Sequence, residues 1–158
     1  MADKKFYITK QKLKELQKEY KDLLYFLHMK TKAETPKFLE SEDLNSEYFT
    51  LQEDLNFLRN RINELENTLK NYELITPPTK EKQKNINLGA RVIVEVDGEK
   101  DEFTIVGTIE ANPSLGKISN ESPVGRALLG HKVGEEIIVS SPIKVVYKIK
   151  KISYPSGR

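Results

Sequence analysis

Residues Tyr48 to Tyr72 read YFTLQEDLNFLRNRINELENTLKNY, and within them Tyr48, Leu51, Leu55, Leu58, Ile62, Leu65, Leu69 and Tyr72 recur at alternating spacings of three and four. That period draws one narrow apolar stripe along a helix, the seam of a coiled coil rather than the broad face of a globular helix. The helix is expected to stop by Thr76-Pro77-Pro78, where proline removes a needed amide. Upstream, Leu13, Leu16, Tyr20, Leu23 and Leu27 carry the same alternation. Thr9 is placed to cap this first helix, with Ile8 as the apolar staple before it.

The two seams predict an antiparallel hairpin. Pairing Leu13 with Tyr72 and Leu27 with Leu58 gives the same centre, between Glu42 and Asp43. Unrelated seams would share that centre only by coincidence. One stretch does not mirror its partner: opposite Tyr48, Leu51 and Leu55 stand Lys37, Glu34 and Lys30, and Pro36 biases Thr35 away from helix. The distal end on that side is expected to be bent, loosely packed or partly non-helical.

Charge is sorted along the chain although the net value is only +2. Glu40-Ser41-Glu42-Asp43-Leu44-Asn45-Ser46-Glu47 holds four carboxylates and no cation, and Phe38 to Phe57 carries six acids with no Lys or Arg. A solvated turn is one reading. A turn needs polarity, however, and not four like charges that repel one another. Such crowding suits a shared hard divalent cation such as Mg²⁺, which takes carboxylate oxygens and water. Lys30, Lys32 and Lys37 beside the cluster are either a solvated face or an attraction for phosphate.

Thr76 to Asn87 is rich in Pro and Lys without periodicity and reads as a linker. Beyond it, Arg91-Val92-Ile93-Val94-Glu95-Val96, the turn pair Asp97-Gly98 and Glu102-Phe103-Thr104-Ile105-Val106-Gly107 read as a β-hairpin. Glu136 to Ser140 and Lys144 to Ile149 repeat the pattern, so a small antiparallel sheet is expected. Ser122, Pro123 and Gly130 write the cap, first position and exit of a short helix. The fold class is therefore α+β: a hairpin over 1–75 with its acidic tip near 40–47, a linker over 76–87, and a compact sheet domain over 88–158.

Several chemistries find no support. The chain has no cysteine, so neither a disulfide framework nor a thiolate metal site is available. His28 and His131 fall in different modules, which argues against a shared metal. No phosphate-binding glycine loop or nucleophile elbow is present. The start Met1-Ala2-Asp3-Lys4-Lys5-Phe6 lacks the apolar run of a signal peptide, and a cytoplasmic monomer without membrane contact is expected.

Ser119 to Glu136, SNESPVGRALLGHKVGEE, resembles the carboxy-terminal "SPxxRALLGxxxGDE" signature of the Gre-type (GreA/GreB) transcript-cleavage factors of bacterial RNA polymerase. Thr9, Leu13, Leu16 and Glu19 are similar to the family's amino-terminal start. Asn45-Ser46-Glu47-Tyr48 and Arg61-Ile62-Asn63-Glu64-Leu65-Glu66 are similar to its descending arm. The resemblance implies an FKBP-like carboxy-terminal domain docked at the polymerase secondary channel, with Ser122, Pro123 and Arg126 either in that docking or shaping the domain. It implies a coiled coil entering the channel and acids at its tip helping to hold a Mg²⁺ shared with the polymerase, which then cleaves the 3′ end of backtracked RNA.

The factor on this reading lends ligands and is not itself an enzyme. Asp43 is the expected main ligand, Glu42 the next, with Glu40 and Glu47 behind them. Asp43-Leu44 matches the "DL" of the family's tip motif, but two residues before "NAEY", including its second acid, are missing here. Glu42 or Glu40 would stand in. The alternatives are a channel-binding regulator or inhibitor without cleavage activity, and a peptidyl-prolyl isomerase module, for which Phe103, Tyr147 and Tyr154 are the aromatics on offer.

Overall fold

The computed structural model describes residues 4–33, 44–140 and 143–155. Contacts divide the chain into two units, Met1–Lys12 with Tyr72–Arg158, and Leu13–Asn71.

The second unit is the hairpin. Helix α1 spans Lys10–Ala33 and α2 spans Leu44–Lys70. Seam residues Leu16, Leu55, Ile62 and Leu65 are buried, while Leu13, Tyr20, Leu23, Leu27, Leu51, Leu58 and Leu69 are half-buried. Ion pairs cross between the helices. Arg61 grips Glu19 through both carboxylate oxygens, Nε to Oε1 at 2.8 Å and Nη2 to Oε2 at 3.0 Å, and Lys30 reaches Asp54 at 3.4 Å. In sequence, Glu40 lies midway between the first pair and Glu42 midway between the second, close to the expected centre. The unmatched first-arm positions Glu34 and Lys37 lie outside the described residues, and Lys30 uses its charge on Asp54.

The second seam runs one tyrosine too far. Helix α2 stops at Lys70, and Tyr72–Leu74 forms strand β2, paired in parallel with β1 (Phe6–Ile8) from Phe6↔Tyr72 to Ile8↔Leu74. Three residues, all exposed, carry no alternation, so Tyr72 passed for the next heptad position. Both strands cluster with the sheet, so the ends of the expected 1–75 segment sit in the other unit. Thr9 caps α1 as expected, its Oγ1 accepting from the Lys12 amide at 3.2 Å. Its own N–H and Oγ1–H donate to the Glu110 carboxylate at 2.8 and 2.7 Å, a negative group favoured at a helix start.

The five-stranded sheet has the order β5-β4-β3-β7-β6, built from β3 (Arg91–Val96), β4 (Glu99–Val106), β5 (Lys117–Ser119), β6 (Glu136–Val139) and β7 (Val145–Ser153). Asp97 and Gly98 both have positive φ, 52° and 83°, as a two-residue hairpin turn requires. Where an antiparallel sheet is expected, the sheet is mixed, because β5 pairs with β4 in parallel. The strand is only three residues long and leaves no pattern to read.

One face of the sheet closes the core: Val92, Val94, Ile105 and Ile149 are fully buried with Leu128 of helix α3 (Pro123–Leu128). Ile86 belongs to that core too, although it lies in the stretch expected to be a linker. It is anchored by its N–H to the His131 carbonyl at 2.9 Å. On the other face, Lys100, Glu95, Lys148 and Glu136 are successive register partners across β4, β3, β7 and β6. Alternating signs neutralise that row. Lys150, 2.8 Å from Glu95, is the main reason the Glu95 carboxyl lies below its ordinary range.

Candidate functional site

Of the acids expected at the tip, Glu40, Glu42 and Asp43 lie outside the described residues. Glu47 falls in the first turns of α2. Among the described residues no group of three or more His, Asp or Glu is arranged to hold a metal ion. The donor chemistry of the four acids in the sequence, carboxylate oxygen, suits a hard cation.

The second expected site, α3, is fully described. Ser122 is extended, with Pro123 in the first helical position, where a missing amide costs nothing. The Ser122 hydroxyl accepts from Gly125 N–H at 3.0 Å and donates to the Ser119 carbonyl at 2.6 Å. Both of its roles are internal, so it shapes the helix. A Cβ on Gly125 would lie 2.0 Å from the Ser119 carbonyl oxygen, so only glycine lets α3 sit this close to β5. Pro123 and Arg126 are exposed on the outside of that turn.

Beside it is a polar group that no local pattern announces. The Glu121 carboxylate accepts from Thr108 Oγ1 at 3.0 Å and from Lys4 Nζ at 3.4 Å, and its N–H donates to Ser119 Oγ at 3.0 Å. The Thr108 hydroxyl first, and then Lys4, hold the carboxyl below its ordinary range. Thr108 and Lys4 come from distant segments, so sequence spacing gives no signal for them. The depression here, lined by Lys4, Tyr7, Thr108 and Glu121 among others, has a volume of about 20 Å³, room for a single water. A depression of that size has no room for a substrate.

Elsewhere, His131 Nδ1 lies 2.5 Å from Glu135, an interaction that lowers the Glu135 carboxyl. His28 is exposed on α1. Of the aromatics considered for a proline pocket, Phe103 packs edge-on to Tyr147 with ring centres 6.2 Å apart, both against the core. Tyr154 donates to the Asn85 carbonyl and accepts from the Asn87 amide. All three are engaged in holding the sheet unit together.

A family model described as transcription elongation factor, GreA/GreB, C-term matches residues 80–154, which contain α3 and the whole sheet. A transcription elongation factor GreA from Thermomicrobium roseum is 41% identical over 144 residues, covering 90% of this chain and 92% of that protein. The chain belongs to the GreA/GreB family. Another transcription elongation factor GreA, from Clostridium acetobutylicum, is 42% identical over 158 residues and covers 95% of this chain and 98% of its own. Among solved structures, GreA factor homolog 1 (Gfh1) of Thermus thermophilus matches at 25% identity over 95% of this chain and 99% of that one, with a TM-score of 0.41. Membership makes the chain a Gre-type transcription elongation factor. No helix among the described residues is long and apolar enough to cross a membrane.

Proposed function

We propose that this elongation factor binds bacterial RNA polymerase as a monomer, enters the secondary channel with its hairpin, and stimulates cleavage of backtracked RNA at the nascent 3′ end. The observation that carries the reading is that Glu40, Glu42 and Asp43 fall in sequence between two helices joined in antiparallel register by Glu19–Arg61 and Lys30–Asp54, with Glu47 in the first turns of the second helix. Asp43 with Glu42 would hold a Mg²⁺ jointly with the polymerase, Glu40 and Glu47 adding negative field. The ion when bound activates water and supports the leaving oxygen of a phosphodiester. Asp43 and Glu42 bring the charge, and the paired helices deliver it. On the sheet unit, Pro123 and Arg126 would meet the polymerase, with Ser122 holding α3 in shape.

The decisive experiment is transcript cleavage on backtracked elongation complexes with wild type and with Asp43→Ala/Glu42→Ala. Cleavage is expected to fall by about 100-fold, the upper end of what loss of metal-supporting groups costs. Undiminished cleavage would remove the assignment. The tip, two residues shorter than the family motif, favours one other reading: a channel-binding regulator without cleavage. It predicts that wild type binds and slows the polymerase while releasing no RNA fragment.

A further inference from the structure

Within the hairpin unit, the exposed large apolar side chains among the described residues all lie in two segments, Leu24 to Met29 on α1 and Tyr48 to Phe57 on α2. The stem toward Leu13 and Leu69 has none. Two of them form a separate stripe on α2. Phe49 and Phe57 are 65% and 72% exposed, and with exposed Glu53 between them they follow each other at intervals of four, which places them on one face. That face is not the seam. The seam residues Leu51, Leu55 and Leu58 turn toward α1 and are buried or half-buried.

Charge says what can cover the stripe. No Lys or Arg occurs from Phe38 to Phe57, against six acids. Asp54 is paired with Lys30, but Glu53 has no ion pair among the described residues. Phosphate would be repelled by this face, so RNA is a poor occupant. A second copy would bring like charge against like. A cation-bearing protein surface meets both features, because guanidinium or ammonium groups stack on phenylalanine faces and pair with the carboxylate. We infer that Phe49, Glu53 and Phe57 form a docking stripe for a Lys- or Arg-bearing apolar protein surface, the wall of the polymerase that receives the hairpin. The inference rests on the polymerase reading above and adds to it a contact along the shaft, distinct from the tip acids and from α3.

The test is affinity of the full chain for RNA polymerase elongation complexes, with Phe49→Ala/Phe57→Ala and Glu53→Lys beside wild type, together with thermal unfolding and solution mass. Exposed side chains leave folding intact, so unfolding midpoints stay level. The double variant is expected to bind at least tenfold more weakly, as aromatic contact residues do, and Glu53→Lys severalfold more weakly at low salt with the deficit shrinking as salt rises. Wild type binding matched within twofold by the double variant overturns the stripe and leaves the polymerase reading standing. A wild-type dimer that the double variant dissolves, or RNA binding that it abolishes, overturns it in favour of the other occupants. No binding of wild type to polymerase removes both readings.

Discussion

The sheet unit and the hairpin are stabilised in different geometries. In the sheet unit, residues from β3, β4, β7 and α3 converge on one closed core in which Val92, Val94, Ile105, Leu128 and Ile149 have no exposure at all. In the hairpin, apolar burial among the described residues follows a single line, with Leu16, Leu55, Ile62 and Leu65 buried and the other seam leucines half-buried. A closed core couples every residue to several elements, whereas a seam couples each only to the facing turn. The hairpin can thus keep its distal half thinly packed, and that half carries the residues proposed to act. Segments that engage partners are commonly drawn from the less stable end of a structure.

The sharpest way to break this contrast is truncation. Leu128→Ala is expected to cost about 3–5 kcal/mol, against about 1–2 kcal/mol for Leu23→Ala on the half-open seam. Urea unfolding followed by circular dichroism measures both, and equal costs would remove the distinction.

Next in size is Tyr154→Phe, which strands the Asn87 amide and the Asn85 carbonyl at the edge of the sheet unit and should cost about 1–2 kcal/mol. Burial raises the Tyr154 hydroxyl above its ordinary value. The unfolded chain therefore loses this proton first, and wild-type stability should decline as pH climbs above about 10. Unfolding free energies from pH 8 to 11 should show a shallower decline in Tyr154→Phe; identical slopes would contradict the assignment.

The smallest effect is expected in the hairpin. Arg61 has its guanidinium pKa raised chiefly by the Glu19 hydrogen bonds, yet both side chains are 39% exposed. Arg61→Ala should cost only about 0.5–1 kcal/mol. Urea midpoints in 1 M salt should show the difference reduced, and a larger, salt-independent cost would mean that the hairpin depends on more than its seam.

Long periodic features were the legible ones. The seams, the Asp97-Gly98 turn, β3 and the capped helix α3 each carry several residues agreeing on one local geometry. What leaves no signal in the sequence is short or distant. β1, β2 and β5 have three residues each, too few for alternation to declare itself. Ile86 is one apolar residue in a run of Lys, Asn and Gln, and only the folded sheet shows that it is core. The clamp of Glu110 on Thr9 and that of Thr108 and Lys4 on Glu121 join groups 13 to 117 residues apart, beyond what spacing reveals. At the tip the acids were legible as chemistry, while their arrangement lies outside the described residues.

The parallel pairing of β1 with β2 has a consequence for how such a protein can vary in length. A parallel strand pair needs a crossover, and here the crossover is the entire excursion from Leu13 to Asn71. Because that excursion runs along one helix and back along the other, removing seven residues from each arm preserves both seams and shortens each helix by about 10 Å, at 1.5 Å per residue. The three strand pairs from Phe6↔Tyr72 to Ile8↔Leu74 need not register the change, so reach becomes an adjustable dimension that a lineage can lengthen or shorten in whole heptads.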